Sequence, residues 1–309
     1  MSLWRRKSAE LKASASRVAE RSTHLKANAH RFAHRMLERL LSIFLSPVRA
    51  FKVLCFSIGF VFLVSLGVFG ISVYSFVKAL PQIGQLKFRD LKMIAQGKVY
   101  DKLEADRKYY RWISLEDVSR EYLYAIVISE DASFFEHSGF NFEAIANSLA
   151  ENIREQKMAY GGSTISQQVV KNLFLTTEKT VTRKLKELLI TRALESRFTK
   201  NEILEIYLNI AELGPEIFGV NAAASAYFKK TAKAINAAEG AFIALMLPSP
   251  KRHFYTIFQN KNLTRVKKKK IERVLRDMLY EEYLTESQYR NYTRYNYFGP
   301  MIRLPAARP

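Results

Sequence analysis

The chain of 309 residues has little cysteine, proline or histidine: one Cys (Cys55), eight Pro and five His. A single cysteine excludes an internal disulfide, so the fold does not require an oxidising compartment. The histidines are scattered and no HExxH pattern occurs, which argues against a metalloprotease-type zinc site. Hydrophobic residues make up 48% of the chain, which excludes general disorder and allows one sizeable core or two small ones.

One long stretch lacks charge altogether. Residues 53–77, VLCFSIGFVFLVSLGVFGISVYSFV, lie between Lys52 and Lys78 without a charged side chain. As a helix, such a stretch is long enough to cross roughly 30 Å of hydrocarbon. It is longer than the apolar region of a signal peptide, and no small-residue cleavage site follows it. The sequence therefore predicts a retained transmembrane helix rather than a buried core helix.

Acidic residues are scarce before this stretch. Residues 1–52, a basic tail, contain 12 Lys and Arg against three Glu, so the positive-inside rule places the tail in the cytoplasm and the rest of the chain outside it. The tail could lie along the inner leaflet as a basic helix, or it could be a partly disordered stop signal; both interpretations stay open. The excess of basic residues continues beyond the helix, which favours anionic and phosphorylated lipids as partners and not nucleic acid.

Beyond the transmembrane stretch the pattern is helical. No alternating strand run repeats, and apolar residues recur three and four apart, as in RKLKELLITRALESRF at 183–198. Thr199 and Glu202 form a capping box at the start of the next helix. We predict a mainly α protein with a membrane-proximal linker or lobe at 78–110, one domain at 111–280 and a C-terminal tail at 281–309.

An acidic pair follows the apolar run YLYAIVI in ISEDASFFEHSGFNF, residues 128–142. Burial beside such a run disfavours the charged form of Glu130 or Asp131 and raises its pKa, which suits a general base or acid. Without other evidence, an acidic pair after an apolar run is more simply explained as part of a solvent-exposed turn.

Two further clusters suit a phosphorylated sugar substrate. In YGGSTISQQVVKNLFL, residues 160–175, a Gly-Gly turn leads into a helix start rich in hydroxyl and amide groups, which suits sugar hydroxyls and phosphates. Further on, Lys179, Arg183, Lys184 and Lys186 surround the single acid Glu187. Such a cluster suits a pyrophosphate or a metal bridging one, although Arg183 and Glu187 could form only a surface ion pair.

Five motifs in order resemble the family 51 glycosyltransferases, the bacterial peptidoglycan glycosyltransferases, and most of all their monofunctional, membrane-anchored members. They run from about residue 112 to residue 250: EDASFFEHSG, GGSTISQQVVKNLFL, RKLKELL, NEILEIYLN and FGVNAAASAYF. The resemblance implies a lysozyme-like helical domain. It also implies polymerisation of lipid II into glycan strands by inverting transfer, with release of polyprenyl pyrophosphate.

The resemblance also implies roles for individual residues. Glu130 matches the general base, and Glu187 matches a second essential carboxylate on the pyrophosphate side. The residues that match substrate contacts are Ser163, Thr164, Gln167, Gln168, Lys171, Lys179, Arg183 and Asn209. The residues that match supporting positions are Asp131, Phe134, His137 and Gly139. We expect no tightly bound cofactor, and a divalent metal, Mg or Mn, at Glu187 is a family expectation.

The chain departs from the family pattern at two positions. Lys179 stands where arginine is usual and loses the bidentate fork, and Asn141 stands where aspartate is frequent. Only 59 residues follow Pro250, so we expect no transpeptidase domain. The S-x-x-K match at residues 75–78 lacks its partner motifs and is a chance match.

Two other functions stay open: a lysozyme-like or lytic enzyme that cleaves glycans, and a non-catalytic membrane scaffold. The cation cluster argues against cleavage, since a neutral glycosidic bond releases no pyrophosphate. Retention of both Glu130 and Glu187 argues against a scaffold. Division or elongation proteins are expected as further partners of a synthase of this class.

Overall fold

The computed structural model describes residues 26–42, 47–103, 110–141, 146, 162–176, 178 and 180–298. The chain divides into two compact units, Met1–Ala79 and Leu80–Pro309. Each unit is built mainly from helices, which confirms the predicted fold class for the described residues.

The first unit contains the apolar helix. Residues 26–42 are helical, and α1 spans Pro47–Lys78 with none of its residues buried against the chain. At 1.5 Å per residue, its 32 residues extend about 48 Å, more than the hydrocarbon thickness of a bilayer. The helix is long and apolar enough to cross a membrane, and it includes the predicted stretch 53–77. The chain therefore has the helix of a membrane-anchored protein.

The second unit is a helical body with one short β-hairpin. Its helices are α2 (Phe88–Tyr100), α3 (Arg120–Asp131), α4 (Ile165–Phe174), α5 (Val181–Arg197), α6 (Lys200–Ile210), α7 (Val220–Phe228), α8 (Ala237–Ala244), α9 (Pro250–His253), α10 (Arg265–Tyr280) and α11 (Glu286–Thr293). Between α6 and α7, strands β1 (Glu212–Gly214) and β2 (Ile217–Phe218) pair antiparallel. A π-helix, Phe254–Gln259, follows α9.

Polar side chains define where several helices begin. At four helix starts, the side-chain oxygen of the N-cap residue accepts a hydrogen bond from the backbone N–H three residues later. These N-cap residues are Thr164, Thr180, Thr199 and Asn236. Each such cap typically stabilises a helix by about 1 kcal/mol. The predicted capping box between Thr199 and Glu202 is confirmed.

The core holds α3 tightly against α8. A Cβ on Gly240 would lie 3.0 Å from Ala125 Cβ and 3.1 Å from Tyr122 Cα, so only glycine permits this close approach of the two helices. The Tyr122 side chain is fully buried and its hydroxyl donates to the Val220 carbonyl at 3.2 Å. The packing immobilises the helix whose last turn contains Glu130.

The segment after α10 also packs on this body. Tyr292 Oη donates to Glu121 on α3 at 2.9 Å, and Gln288 Nε2 donates to the same carboxylate at 3.1 Å. The Tyr295 hydroxyl donates to the buried Glu239 of α8. The described part of the predicted C-terminal tail therefore contacts the central helices α3 and α8. The domain boundaries stay a prediction from the sequence.

Candidate active site

Glu130 lies in the last turn of α3 and faces the start of α4. Its Oε2 accepts a hydrogen bond from Gln168 Nε2 at 2.8 Å. Burial raises the pKa of the Glu130 carboxyl above its ordinary value. The Gln168 hydrogen bond and the Lys171 charge oppose this increase without cancelling it. A partly buried carboxylate with a raised pKa has the property that the sequence predicts for a general base.

Tyr207 on α6 lies beside this carboxylate, and sequence reasoning missed it. Its ring is buried, and the interaction with Glu130 lowers the pKa of that carboxyl. Among the described residues its hydroxyl has no hydrogen bond of good geometry. Burial, followed by the Glu130 charge, raises the pKa of the phenol, which keeps it protonated. In the sequence, Tyr207 matches only the apolar face of a helix, and nothing in that pattern reveals the contact with Glu130.

Asp131 joins the end of α3 to the start of α4. It is buried, and its Oδ2 accepts a hydrogen bond from the backbone N–H of Ile165 at 3.0 Å. His137 Nδ1 accepts from the Gly139 N–H at 3.1 Å, so the proton is on Nε2, which donates to Asp131 Oδ1 at 2.9 Å. The second acid of the pair therefore orients the loop and α4, and α4 in turn places Gln168 against Glu130.

Phe134 and Gly139 complete this loop by packing. Phe134 is fully buried, and Lys200 Nζ lies 4.4 Å from its ring centroid in cation–π geometry. Gly139 has a φ of +92°, and a Cβ at this position would lie 2.8 Å from Thr191 Cγ2. Both predicted supporting residues therefore have a clear steric role in the described fold.

The side chains at the start of α4 divide into two groups. Thr164 Oγ1 accepts from the Gln167 N–H at 3.2 Å, and Gln167 Oε1 accepts from the Thr164 N–H at 3.0 Å. These two side chains form a capping box, a use that the spacing T-x-x-Q could have indicated. Ser163, Gln168 and Lys171 are exposed or partly exposed around the same helix start. Direct contact of Thr164 and Gln167 with substrate stays a prediction.

Glu187 is almost fully buried on α5 and is paired with two cations. Arg183 Nη1 lies 2.9 Å from Glu187 Oε2, and Lys184 Nζ contacts Oε1. Sequence reasoning identified Arg183 as a partner but treated Lys184 only as part of the cluster. Lys179 lies outside the described residues. Since α4 contacts both α3 and α5, it connects the helix of Glu130 to the helix of Glu187.

The donor set at Glu187 does not suit a resident metal ion. Both carboxylate oxygens are already in contact with a cation. Within the described part of the chain, no group of three His, Cys, Asp or Glu side chains is placed to hold a metal ion. The described residues therefore do not fit a Mg or Mn site, and metal dependence stays an untested prediction.

Asn209 is buried, and its side-chain amide makes three hydrogen bonds. Its Oδ1 accepts from the Ile113 N–H at 2.8 Å, and its Nδ2 donates to the carbonyls of Ile113 and Glu205 at 2.8 and 2.7 Å. All three bonds are made to backbone groups, so Asn209 clamps the segment before α3 to α6. The side chain is buried, and a substrate contact by Asn209 stays a prediction.

Comparison with known proteins finds a family match over the region that contains this site. The family model described as Transglycosylase matches residues 96–279. Three similar proteins are named biosynthetic peptidoglycan transglycosylase. That of Nitrosomonas eutropha is 44% identical over an alignment that covers 48% of this chain and 60% of that protein. Those of Nitrosospira multiformis and Haemophilus influenzae are each 45% identical; their alignments cover 52% and 51% of this chain, and 67% and 65% of the respective protein.

The similarity covers part of each protein, between 60% and 67% of the length of these three relatives. The family match covers more than half of this chain and includes Glu130, Glu187 and the whole of α4. The protein is a member of the transglycosylase family.

Proposed function

We propose that this protein is a peptidoglycan glycosyltransferase that polymerises lipid II into linear glycan strands. Its relatives are named biosynthetic peptidoglycan transglycosylases, and the motifs of the family coincide with the site around α4. The observation that carries the proposal is Glu130, a partly buried carboxylate with a raised pKa at the edge of a cationic site.

Glu130 acts as the general base in this proposal. It takes the proton from the attacking hydroxyl of the acceptor sugar, and the hydroxyl oxygen forms a bond to the anomeric carbon of the donor. The bond from that carbon to the pyrophosphate breaks, and the pyrophosphate leaves with the electron pair. The displacement inverts the anomeric centre and passes through an oxocarbenium-like transition state.

Cations near α4 and α5 stabilise the leaving pyrophosphate. Lys171 is exposed on α4 and acts electrostatically on Glu130, so it lies close to the reacting groups. Arg183 and Lys184 are held by Glu187, which fixes their positions before substrate binds. Preorganised cations of this kind stabilise developing negative charge at little reorganisation cost. Glu187 therefore acts by positioning charge and not by proton transfer.

The proposed location is the bacterial inner membrane. The apolar helix α1 crosses the bilayer once, with the basic N-terminus in the cytoplasm and Leu80–Pro309 on the periplasmic side. Lipid II and the growing lipid-linked strand are the substrates, and division or elongation proteins are the proposed protein partners.

Polymerisation of labelled lipid II by the full chain in detergent tests the proposal, with Glu130→Gln beside it. We expect glycan strands from the parent and none from the variant. Cleavage of preformed glycan by the parent, without polymer formation, would replace the proposal with a lytic activity. No reaction with either substrate would favour a non-catalytic scaffold.

A further inference from the structure

One segment of the helical body is strongly basic and contains no acid. Residues 251–271, the basic segment, include eight Lys and Arg and no Asp or Glu, and the first acid after them is Glu272. The segment comprises α9, the π-helix, the loop that follows it and the first turns of α10. The proposed mechanism uses none of these residues, so their charge needs a separate explanation.

The cations of the basic segment lack strong acidic partners. Seven of the eight are exposed, and Lys267 is partly buried. Within the described part of the chain, Lys251 alone among them forms an ion pair, with its Nζ 3.9 Å from Glu212 Oε1. An exposed pair at that distance contributes little. Ion pairs with the described residues therefore leave most of the charge of the segment uncompensated.

The fold also brings cations of α9 and α10 close together. Burial, and after it the charges of Arg252 and Lys270, lower the pKa of the Lys267 ammonium. Burial and the charges of Lys267, Lys270 and Arg252 lower the pKa of the His253 imidazole. Like charges held this close repel one another and destabilise the folded state. The stability of the fold therefore does not explain why these cations are here.

The start of α10 has a second unfavourable feature. Its first turn contains no acid, and the side chain of the N-cap residue Thr264 makes no capping hydrogen bond. The positive end of the helix dipole favours acids and repels cations. Arg265, Lys268 and Lys269 are nevertheless exposed there, three and four residues apart and therefore on one face of the helix. Such a face suits contact with an extended negative surface.

Exposed apolar side chains lie among these cations. Tyr255 of the π-helix is 52% exposed, and Val266 of α10 is 68% exposed. Tyrosine is enriched where membrane proteins meet lipid head groups, because its ring is apolar and its hydroxyl is polar. Cations beside exposed apolar side chains are typical of surfaces that bind at a bilayer interface. This combination favours a lipid surface over an acidic protein.

We propose that the basic segment binds the anionic head groups of the membrane that anchors α1, as a second and electrostatic contact with the bilayer. The inference rests on the proposed membrane location and not on the polymerase activity. Because the chain is anchored, the segment stays near the bilayer, and its attraction to anionic lipid acts within a Debye length, about 10 Å at 0.1 M salt. This contact holds the helical body at the surface where its lipid-linked substrates lie.

Fluorescence of the full chain in lipid nanodiscs tests the contact. Cys55→Ser removes the single cysteine, and Val266→Cys then carries an environment-sensitive fluorophore. The discs contain phosphatidylcholine alone or with one third phosphatidylglycerol. We expect a blue shift in the anionic discs that high salt reverses, because salt screens the attraction. The same fluorophore at Ser287→Cys, an exposed position of α11 beside Glu286, should show no such shift.

Charge variants show whether the cations of the basic segment cause the shift. The triple variant Arg265→Gln, Lys268→Gln and Lys269→Gln should abolish it. The matched control, which should keep it, replaces three exposed cations elsewhere in the helical body: Arg111→Gln, Lys229→Gln and Arg290→Gln. Both triple variants should polymerise lipid II at the parent rate in detergent, where no bilayer is present. The first should melt no lower than the parent, since it removes charges that repel one another.

Three results would overturn the inference. One is equal emission from the Val266 position in neutral and anionic discs. Another is equal loss of the shift in both triple variants, because net charge would then be the cause. The third is a shift with added polyglutamate in neutral discs and none with phosphatidylglycerol, which would identify an acidic protein as the partner. A parent that forms no glycan in detergent contradicts the proposed function instead, and the fluorescence still decides this inference because it needs no turnover.

Discussion

Glu130 and Glu187 are the same residue type in opposite surroundings. Glu130 receives one hydrogen bond from a neutral amide, and burial raises the pKa of its carboxyl. Glu187 is more deeply buried, yet each of its oxygens contacts a cation. The charge of Glu187 is matched by permanent partners, whereas the charge of Glu130 is only partly compensated.

The difference gives two carboxylates of the same residue type different chemical properties. A carboxylate between two cations fixes the positions of those cations. A carboxylate with a neutral partner in a desolvated position accepts a proton readily. The predictions below test this contrast.

The largest effect is expected for Glu130→Gln. Loss of the base should lower the polymerisation rate by about 10²-fold to 10⁴-fold. A raised pKa means that the folded state binds protons more tightly than the unfolded state, so ionised Glu130 costs stability as pH rises above the ordinary range of a glutamate. The variant should therefore melt at a higher temperature than the parent at pH 7, and the difference should shrink as pH falls toward 4.

Glu187→Gln should show the opposite change in stability. It leaves Arg183 and Lys184 without their anion and should destabilise the fold by about 1–3 kcal/mol, less than a fully buried pair because both cations are partly exposed. Displaced cations should lower kcat by about 10-fold to 100-fold. Thermal melting and initial rates check both effects. Melting shifts of the same sign for the two Glu→Gln variants would break the contrast.

Gln168→Leu tests how Glu130 is tuned. The Gln168 hydrogen bond lowers the pKa of Glu130, so its loss should raise that pKa further. Because the base must be deprotonated, the acid limb of the kcat/KM profile should move to higher pH, with a loss of about threefold to tenfold on that limb. Gln259→Leu, at an exposed position, serves as the control. A uniform loss at every pH would mean that Gln168 acts on substrate and not on the base.

The smallest effect on catalysis is expected for Asn209→Leu. Three hydrogen bonds to backbone groups are lost, which should cost about 2–4 kcal/mol of folding stability. If Asn209 is a clamp, KM for lipid II should stay within about twofold of the parent under conditions where the variant is folded. Asn201→Leu, exposed on the same helix, is the matched control. A several-fold rise in KM for Asn209→Leu alone would restore its predicted role in substrate binding.

The features that the sequence predicted well depend on residues close together along the chain. The uncharged stretch 53–77 indicated the apolar helix because length and composition suffice for that property. The capping box of Thr199 and the ion pair of Arg183 with Glu187 join residues three and four apart, a spacing that a helix brings together without help from the rest of the fold.

The partners that tune the site come from distant parts of the chain, and only packing brings them together. Gln168 meets Glu130 across 38 positions because Asp131 joins α3 to the start of α4. Tyr207 comes from a third helix, and Asn209 reaches back to Ile113. The motifs that resemble the family identified both carboxylates. Their different surroundings arise from the tertiary structure, because burial and long-range hydrogen bonds decide which carboxyl is desolvated and which is neutralised.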